Sequence, residues 1–404
     1  MNKNNINITF FCGGSGCAGF IKYLNNFNNI NIHLIINGYD YGKSSGKIRK
    51  IIPNMLGPSD FRKNISLLMN DDSILKKTID YRLKNLNDYE NLINIISLQT
   101  DSSNLSKLIF NLSFKKFNEF VNYINIFNLH INKLKNEYNL ENFFLDFSIG
   151  NILFAGFFLK YKNFNKALKE FCLFTEINHN ILNITDGDNL YLYSLNSKGK
   201  LSNESEIIEN ASLEKIFDIF LIKKDLSNLE IKHIESLDNS KKIKYLNNIH
   251  VSPMLNKEVI NVLKKSDLVI FGPGTQHSSL FPSYLTKNLN KVLLELKCEK
   301  IFVTNIYFDN DLFFENTLTL INKFYFFIFN KKNIKNNNLI DFIFLNKFDE
   351  DNINLIDTEK YFPSEVYQDK KIKMLDFEGE KGKHLPQLVF DEVSKYTKLN
   401  LQAL

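Results

Sequence analysis

Five short stretches of this chain gather glycine with hydroxyl, amide and charged side chains. The first is Cys12-Gly13-Gly14-Ser15-Gly16-Cys17. Backbone N–H groups at a helix start, together with the positive end of the helix dipole, favour a phosphate there. No Gly-Lys-Ser/Thr follows, so it is not a nucleoside-triphosphate P-loop. Gly14 to Gly19 does fit the GxGxxG template, and Asp40 is a candidate for the acid that a dinucleotide fold places about 20 residues further on.

The second stretch, Asn37 to Arg49, reads NGYDYGKSSGKIR. In it Asp40 can take a cation or a ribose hydroxyl, Ser44 and Ser45 can donate to phosphate oxygens, and Lys43, Lys47 and Arg49 supply charge. It also reads as an ordinary Gly/Ser surface turn. In the third, Leu56 to Asn64 (LGPSDFRKN), Ser59 or Asp60 caps a helix. Arg62 then falls in the first turn, where a cation opposes the dipole unless it faces an anion; the other reading is a solvated arginine. The fourth, Phe147-Ser148-Ile149-Gly150-Asn151, opens a helix and offers the Asn151 amide as donor and acceptor, or is a plain cap. The fifth, Gly272-Pro273-Gly274-Thr275-Gln276-His277-Ser278-Ser279, puts several hydroxyls at a helix start. His277 is the only histidine within these stretches. No HxH, HExxH or Cys/His pattern of a zinc site occurs.

Glycine placement shows what must position these groups. Of 16 glycines, eight lie between Gly13 and Gly57, and none, nor any proline, falls between Ser59 and Ile149. Glycine is needed where φ is positive or where backbone approaches a ligand. Residues 12–64 therefore read as working loops and 65–147 as a largely helical block. Ile6–Cys12 is an apolar β-branched and aromatic strand, Cys17–Phe27 a helix and Ile32–Asn37 a second strand, which makes a βαβ start and a parallel sheet. The grammar returns with a strand at Asp267–Phe271, a crossover helix over Leu280–Lys297 and a strand at Lys300–Asn305. Asn151–Glu176 is helical in pattern. Ile181–Leu195, with a turn at Asp186–Asp188, reads as an antiparallel hairpin on the sheet edge. Residues 196–250 read as a polar, irregular peripheral excursion. A strand at Leu339–Leu345 and a helix near Leu388–Thr397 close the pattern. The fold expected is α/β: a Rossmann-like three-layer sandwich with a mainly parallel sheet, a helical insertion and an antiparallel edge hairpin, all in one domain over 1–404.

A formal charge of +5 without any dense basic block argues against nucleic acid. No apolar run reaches the roughly 18 residues of a membrane span, and the polar, Asn-rich start reads as no secretory signal. Cys12, Cys17, Cys172 and Cys298 form no CxxC pair and fit a reducing compartment, so a cytoplasmic location is expected.

Singly these stretches are weak signals; their order is specific. GGSG, NGYDYGKSSGKIR, GPSDFRKN, SIGN and GPGTQHSSLFPSYL, in that sequence, resemble the 2-phospho-L-lactate transferase (CofD)-like family over about residues 6–310. That family includes transferases of deazaflavin coenzyme synthesis and gluconeogenesis-factor proteins that bind a UDP-sugar. The wording of the last motif is closest to an uncharacterised branch. By resemblance, Gly13, Gly14, Ser15 and Gly16 form the glycine loop, while Asp40, Ser44 and Ser45 match the D-D-G-x-S-S/T-G stretch, with Tyr41 in place of the second acid. Asp60, Arg62 and Asn64 match G-D-x-R-N. Ser148 and Asn151 match H-S-x-G-N, with Phe147 where the histidine stands. Gly272, Gly274, Thr275, Ser278, Ser279 and Asn305 complete the nucleotide site.

The resemblance implies a transferase in which a hydroxyl attacks a phosphate of a guanosine-diphospho-acid and a nucleoside monophosphate leaves. Asp40 and Arg62 would be catalytic, and Asp40 would hold Mg²⁺. The alternative is a non-catalytic nucleotide-sugar sensor, which the changes at Tyr41 and Phe147 favour. A nicotinamide-binding Rossmann enzyme leaves the later loops unexplained. The expected partner is a small nucleotide-type molecule, not nucleic acid or membrane; a homodimer is left open.

Overall fold

The structure is a computed structural model that describes residues 5–99, 103–138, 143–210, 214–307, 310–332, 339–347, 369, 371–380 and 382–399. The chain forms two compact units, Met1–Tyr39 with Leu182–Leu404, and Asp40–Ile181.

The first unit is organised by a seven-stranded sheet of β1 (Ile6–Phe11), β2 (Ile30–Ile36), β3 (Asn180–Asn183), β7 (Leu268–Phe271), β8 (Glu299–Val303), β9 (Phe342–Asn346) and β10 (Ile372–Leu375). Their spatial order is β10, β9, β8, β7, β1, β2, β3. The pairs β1–β2, β1–β7, β7–β8, β8–β9 and β9–β10 are parallel. Every residue of β7 is buried, as are the last four of β1. Strands covered on both faces read as continuous apolar runs, which is why they are visible in the sequence. Phe11 stacks on Phe271 across the β1–β7 pair with centroids 4.7 Å apart, and Tyr284 meets both rings edge-on.

Three expectations need correction here. The antiparallel part of the fold is not a hairpin over 181–195: β3 joins the edge of the main sheet beside β2. Tyr191–Asn196 (β4) instead pairs antiparallel with Leu201–Asn203 (β5) and Ile216–Ile222 (β6) in a separate three-stranded sheet. Nor is 196–250 irregular. β6 (IFDIFLI) is almost wholly buried, and capped helices follow at Asn228–Ser236 and Asn239–Ile249. Lastly, Leu280–Lys297 is not one helix. A π-turn at Gln276–Leu280 runs into Phe281–Tyr284, and a second helix starts at Leu289 after Asn288, which takes φ 67°. Asparagine tolerates that left-handed conformation better than most residues.

The second unit is helical. The helix Ile149–Tyr161 is buried at every position from Ile149 to Leu159, and ends where Lys162 turns left-handed at φ 53°. An all-apolar helix belongs at the centre of its unit. Gly156 lets it approach Phe114–Leu134: a Cβ there would sit 2.2 Å from the Tyr123 carbonyl oxygen. Phe164–Phe174 lays Phe164 and Phe171 against Phe154. Lys43–Ile51, read from sequence as loop, is a helix. Among the described residues no helix is long and apolar enough to cross a membrane. All four cysteines are free thiols.

Candidate functional site

The first unit assembles two of the sequence motifs at one place. β1 pairs with β2 on one side and β7 on the other, so the strand order reverses at β1. The crevice outside the carboxyl ends of two such strands is where open α/β sheets take their ligands. The loops leaving β1 and β7 both lie there. They interlock through glycine. A Cβ on Gly16 would stand 2.2 Å from the Pro273 carbonyl oxygen, and one on Gly272 would meet Cys17 Sγ at 2.1 Å. Gly274 takes φ 140°, open to few other residues. Gly13 is buried, Gly14 partly so, and Ser15 and Gly16 are exposed.

Asn305, just past β8, fixes the second loop. Its Oδ1 accepts from Gly274 N and its Nδ2 donates to Gly274 O, both at 3.1 Å. Thr275 Oγ1 and Ser279 Oγ are 2.8 Å apart and both partly exposed. Ser278 differs from the expectation of a row of ligand-facing hydroxyls. Because 276–280 is a π-turn, Gln276, His277 and Ser278 turn inward, and Ser278 Oγ is buried with no partner among the described residues. Asn37, the residue just past β2, was not singled out by its type. Its Nδ2 donates to the Ser279 carbonyl and to Ser283 Oγ, so it ties the β2 end to the π-turn.

The second unit gathers the other motifs. Asp40 is half-buried rather than an exposed loop acid. Its Oδ1 accepts from Gly42 N at 3.0 Å and its Oδ2 from Ser45 Oγ at 2.5 Å. Ser44 and Ser45 lie in the first turn of Lys43–Ile51. Ser45 Oγ is 2.6 Å from Ser59 Oγ. Asn151 Nδ2 reaches Ser44 Oγ and Ser59 Oγ, both at 3.0 Å. Its own Oδ1 is buried without a hydrogen-bond partner among the described residues. Ser148 is the cap, accepting from Asn151 N at 3.2 Å.

The Ser59–Leu68 helix departs from its sequence reading. Pro58 occupies the N-cap, and neither Ser59 nor Asp60 caps with its side chain. Asp60 is mostly buried and accepts from Lys63 at 3.2 Å, while Asn64 Nδ2 donates back to Asp60 O at 2.8 Å. Burial pushes the Asp60 carboxyl up; Lys63 opposes this, and the charge of Asp40 adds to it. Arg62 is not a solvated surface residue: 6% exposed, it gives Nη1 to Asp80 Oδ1 at 2.6 Å. Asp80 also accepts from Ser66. Gly150 leaves room for the Arg62 stem, since a Cβ there would lie 2.9 Å from Arg62 Cγ and Cδ. Asp80 carries no motif, so the pairing had no sequence signal.

The two substituted family positions are built into packing. Phe147 is fully buried against Phe143 and Phe144. The Tyr41 ring lies 5.2 Å from the Arg49 guanidinium carbon and 5.6 Å from Lys50 Nζ.

Comparison with known proteins follows the same lines. The family model described as 2-phospho-L-lactate transferase CofD matches residues 8–366. A Thermotoga maritima protein named "Putative gluconeogenesis factor" is 20% identical over 294 residues, 73% of this chain and 66% of its own length. A Clostridium acetobutylicum protein of the same name is 23% identical over 305 residues, 73% of this chain and 47% of that one. The chain thus spans less than two thirds of either relative. A crystal structure of a Bacillus halodurans protein superposes with TM-score 0.63 at 16% identity, covering 96% of this chain and 99% of that one. A second from that organism, described as a member of the upf0052 family, gives 0.62 at 15% identity with the same coverage.

Proposed function

Since the chain belongs to the 2-phospho-L-lactate transferase CofD family, we propose that it binds the diphosphate of a nucleotide-type donor and transfers the donor's phospho-acid group to a hydroxyl acceptor. The donor class is a guanosine-diphospho-acid and the acceptor class a deazaflavin. The acceptor oxygen forms a bond to the phosphorus that bears the acid. The bond from that phosphorus to the bridging oxygen breaks, a nucleoside monophosphate leaves with the electron pair, and the hydroxyl proton is released.

The observation that carries this reading is the pair of interlocked loops at the strand-order reversal. Chemistry of this kind asks mainly for positioning and for charge stabilisation. In this reading the amides of Gly13–Gly16, with the Thr275 and Ser279 hydroxyls, hold the diphosphate. Asp40, in the motif of the second unit, is the residue to which the family resemblance assigns the attacking hydroxyl. Arg62 acts as a positioning residue, through the helix that carries Asp60 and Asn64.

The oxygens of Asp40, Asp60, Ser45 and Asn151 Oδ1 are the hard donors that Mg²⁺ takes, and one or two carboxylates beside substrate phosphates suffice for it. Among the described residues no group of three His, Cys, Asp or Glu could hold a metal, so substrate oxygens would complete the shell. An ion held there by Asp40 and Asn151 Oδ1 would supply positive charge to this motif. Its presence would also offset the Asp40–Asp60 repulsion.

A second reading is a nucleotide-sugar sensor without turnover. The burial of Phe147 among aromatics and the packing of Tyr41 under cations favour it, because both positions have passed from polar chemistry to packing. Nucleoside-monophosphate release, measured with a guanosine-diphospho-acid donor and a deazaflavin acceptor, separates the two. Release supports the transferase. No release with any donor, alongside tight UDP-sugar binding, refutes it in favour of the sensor.

A further inference from the structure

Behind the Gly272–Ser279 loop lies a buried charge cluster that the proposed chemistry does not use. Lys323, on the helix Thr317–Ile328, places its Nζ 2.5 Å from the Ile216 carbonyl, 2.6 Å from Glu315 Oε1 and 3.0 Å from His277 Nε2. Glu315 is 2% exposed and has Lys215 as a second cation at 3.5 Å. His277 is fully buried inside the π-turn. Its backbone N–H donates to Asp311 Oδ2 at 2.8 Å, and its Nδ1 is 4.0 Å from that same oxygen.

The tautomer follows from counting donors. An ammonium has three N–H groups and no acceptor capacity. Lys323 has three neighbours at hydrogen-bond distance, of which the carbonyl and the carboxylate only accept. His277 Nε2 must therefore accept the third N–H, and the imidazole proton sits on Nδ1, which is buried beside the Asp311 carboxylate without a hydrogen bond among the described residues. Burial and the nearby Lys323 charge both hold His277 far below the usual imidazole range, which agrees with a neutral ring.

This matters for the loop because a π-turn is an uncommon one-turn insertion, frequent at functional sites. It persists where its surroundings over-determine it. Here it is tied by Asn37 at Ser279, by Asn305 at Gly274 and Gln276, by Asp311 at the His277 backbone and by Lys323 at the His277 ring. The last two reach in from beyond residue 310, far along the chain from the loop they hold.

We propose that Lys323 is a positioning residue for the Gly272–Ser279 ligand loop, acting by fixing His277 as the Nδ1–H tautomer and so holding the π-turn that presents Thr275 and Ser279. The inference rests on the reading of that loop as a phosphate site.

The test combines ¹⁵N NMR of the histidine-labelled full chain with GDP titration. The His277 signals are assigned by their loss in His277→Gln. Wild type is expected to show one neutral Nδ1–H tautomer at pH 7. Lys323→Met, measured where circular dichroism shows it folded, is expected to mix the tautomers and weaken GDP binding by about tenfold or more, with Lys323→Arg restoring part of the loss. An Nε2–H tautomer or an imidazolium in a wild type that binds GDP overturns this inference alone. So does a folded Lys323→Met with unchanged tautomer or unchanged GDP affinity. If Lys323→Met does not fold, the wild-type tautomer and Lys323→Arg decide. A wild type that binds no phosphate ligand overturns the phosphate-site reading itself, and the proposal with it.

Discussion

Replacing Gly16 and Gly19 by alanine, one at a time, separates the interlocked-loop site from a generic GxGxxG turn. At Gly16 the added Cβ meets the Pro273 carbonyl oxygen at 2.2 Å and Gly274 Cα at 2.7 Å, both backbone atoms. No rotamer change relieves such a contact, so one loop must move by on the order of 1 Å. Overpacking of this kind costs about 1–3 kcal/mol. The same displacement opens the crevice between the β1 and β7 loops, where a misplacement of about 1 Å can cost about 10²-fold in function. At Gly19 the Cβ meets only ordinary contacts, Pro386 Cγ at 3.5 Å and the His384 carbonyl oxygen at 3.9 Å. Gly19 lies inside the helix Ala18–Leu24, where alanine is favoured over glycine by about 1 kcal/mol. Gly16→Ala should therefore lower the urea midpoint and weaken GDP binding, while Gly19→Ala should hold or raise stability and leave GDP binding within about twofold. Urea unfolding and isothermal titration give both numbers. Equal losses for the two variants, or tighter binding by Gly16→Ala, would refute the reasoning. They would favour a dinucleotide turn in which the third glycine matters for helix packing.

Other outcomes follow from the second unit and from the histidines. Asp40→Asn keeps an acceptor for Gly42 N but faces an amide toward Ser45; its stability should change by less than about 1 kcal/mol while turnover falls about 10²-fold or more. A monophosphate-release assay that shows full activity in this variant removes Asp40 from the chemistry. Arg62→Ala strands Asp80 beside a buried cavity and should cost about 3 kcal/mol, the low end for a buried pair because Asp80 is one-third exposed. A nearly unchanged melting temperature would return Arg62 to a surface role. His250 and His384 are each pushed down to about 4, chiefly by burial. The unfolded chain, titrating near 6.5, binds more protons between those values. Stability should thus fall as pH drops from about 6.5 to 4, by up to about 1.4 kcal/mol per pH unit per histidine. A urea midpoint flat from pH 7 to 5 contradicts this.

How much of this was legible depended on which residues carried each element. β1, β2, β7 and β8 are buried on both faces and end at glycine or asparagine, so their runs stand out. Lys43–Ile51 was hidden because Ser44, Ser45 and Gly46 are poor helix formers, and tertiary burial overrides that preference. β6 was hidden by the polar stretches on either side of it. The break at Asn288 is a single left-handed residue in an otherwise helical pattern. At the site, glycine spacing found both loops of the first unit. The inward turn of Ser278 depends on a π-turn that no spacing announces. Lys323, Asp311 and Asp80 act on residues 18 to 46 positions away, and nothing in their types marks them.

Hydrogen–deuterium exchange of the full chain, with and without saturating GDP and Mg²⁺, tests the central claim most directly. If the diphosphate lies on the amides at the strand-order reversal, exchange slows together in the segments that hold Gly13–Gly16 and Gly274–Ser279. Binding that leaves both segments unchanged, or protects only segments elsewhere, contradicts the account.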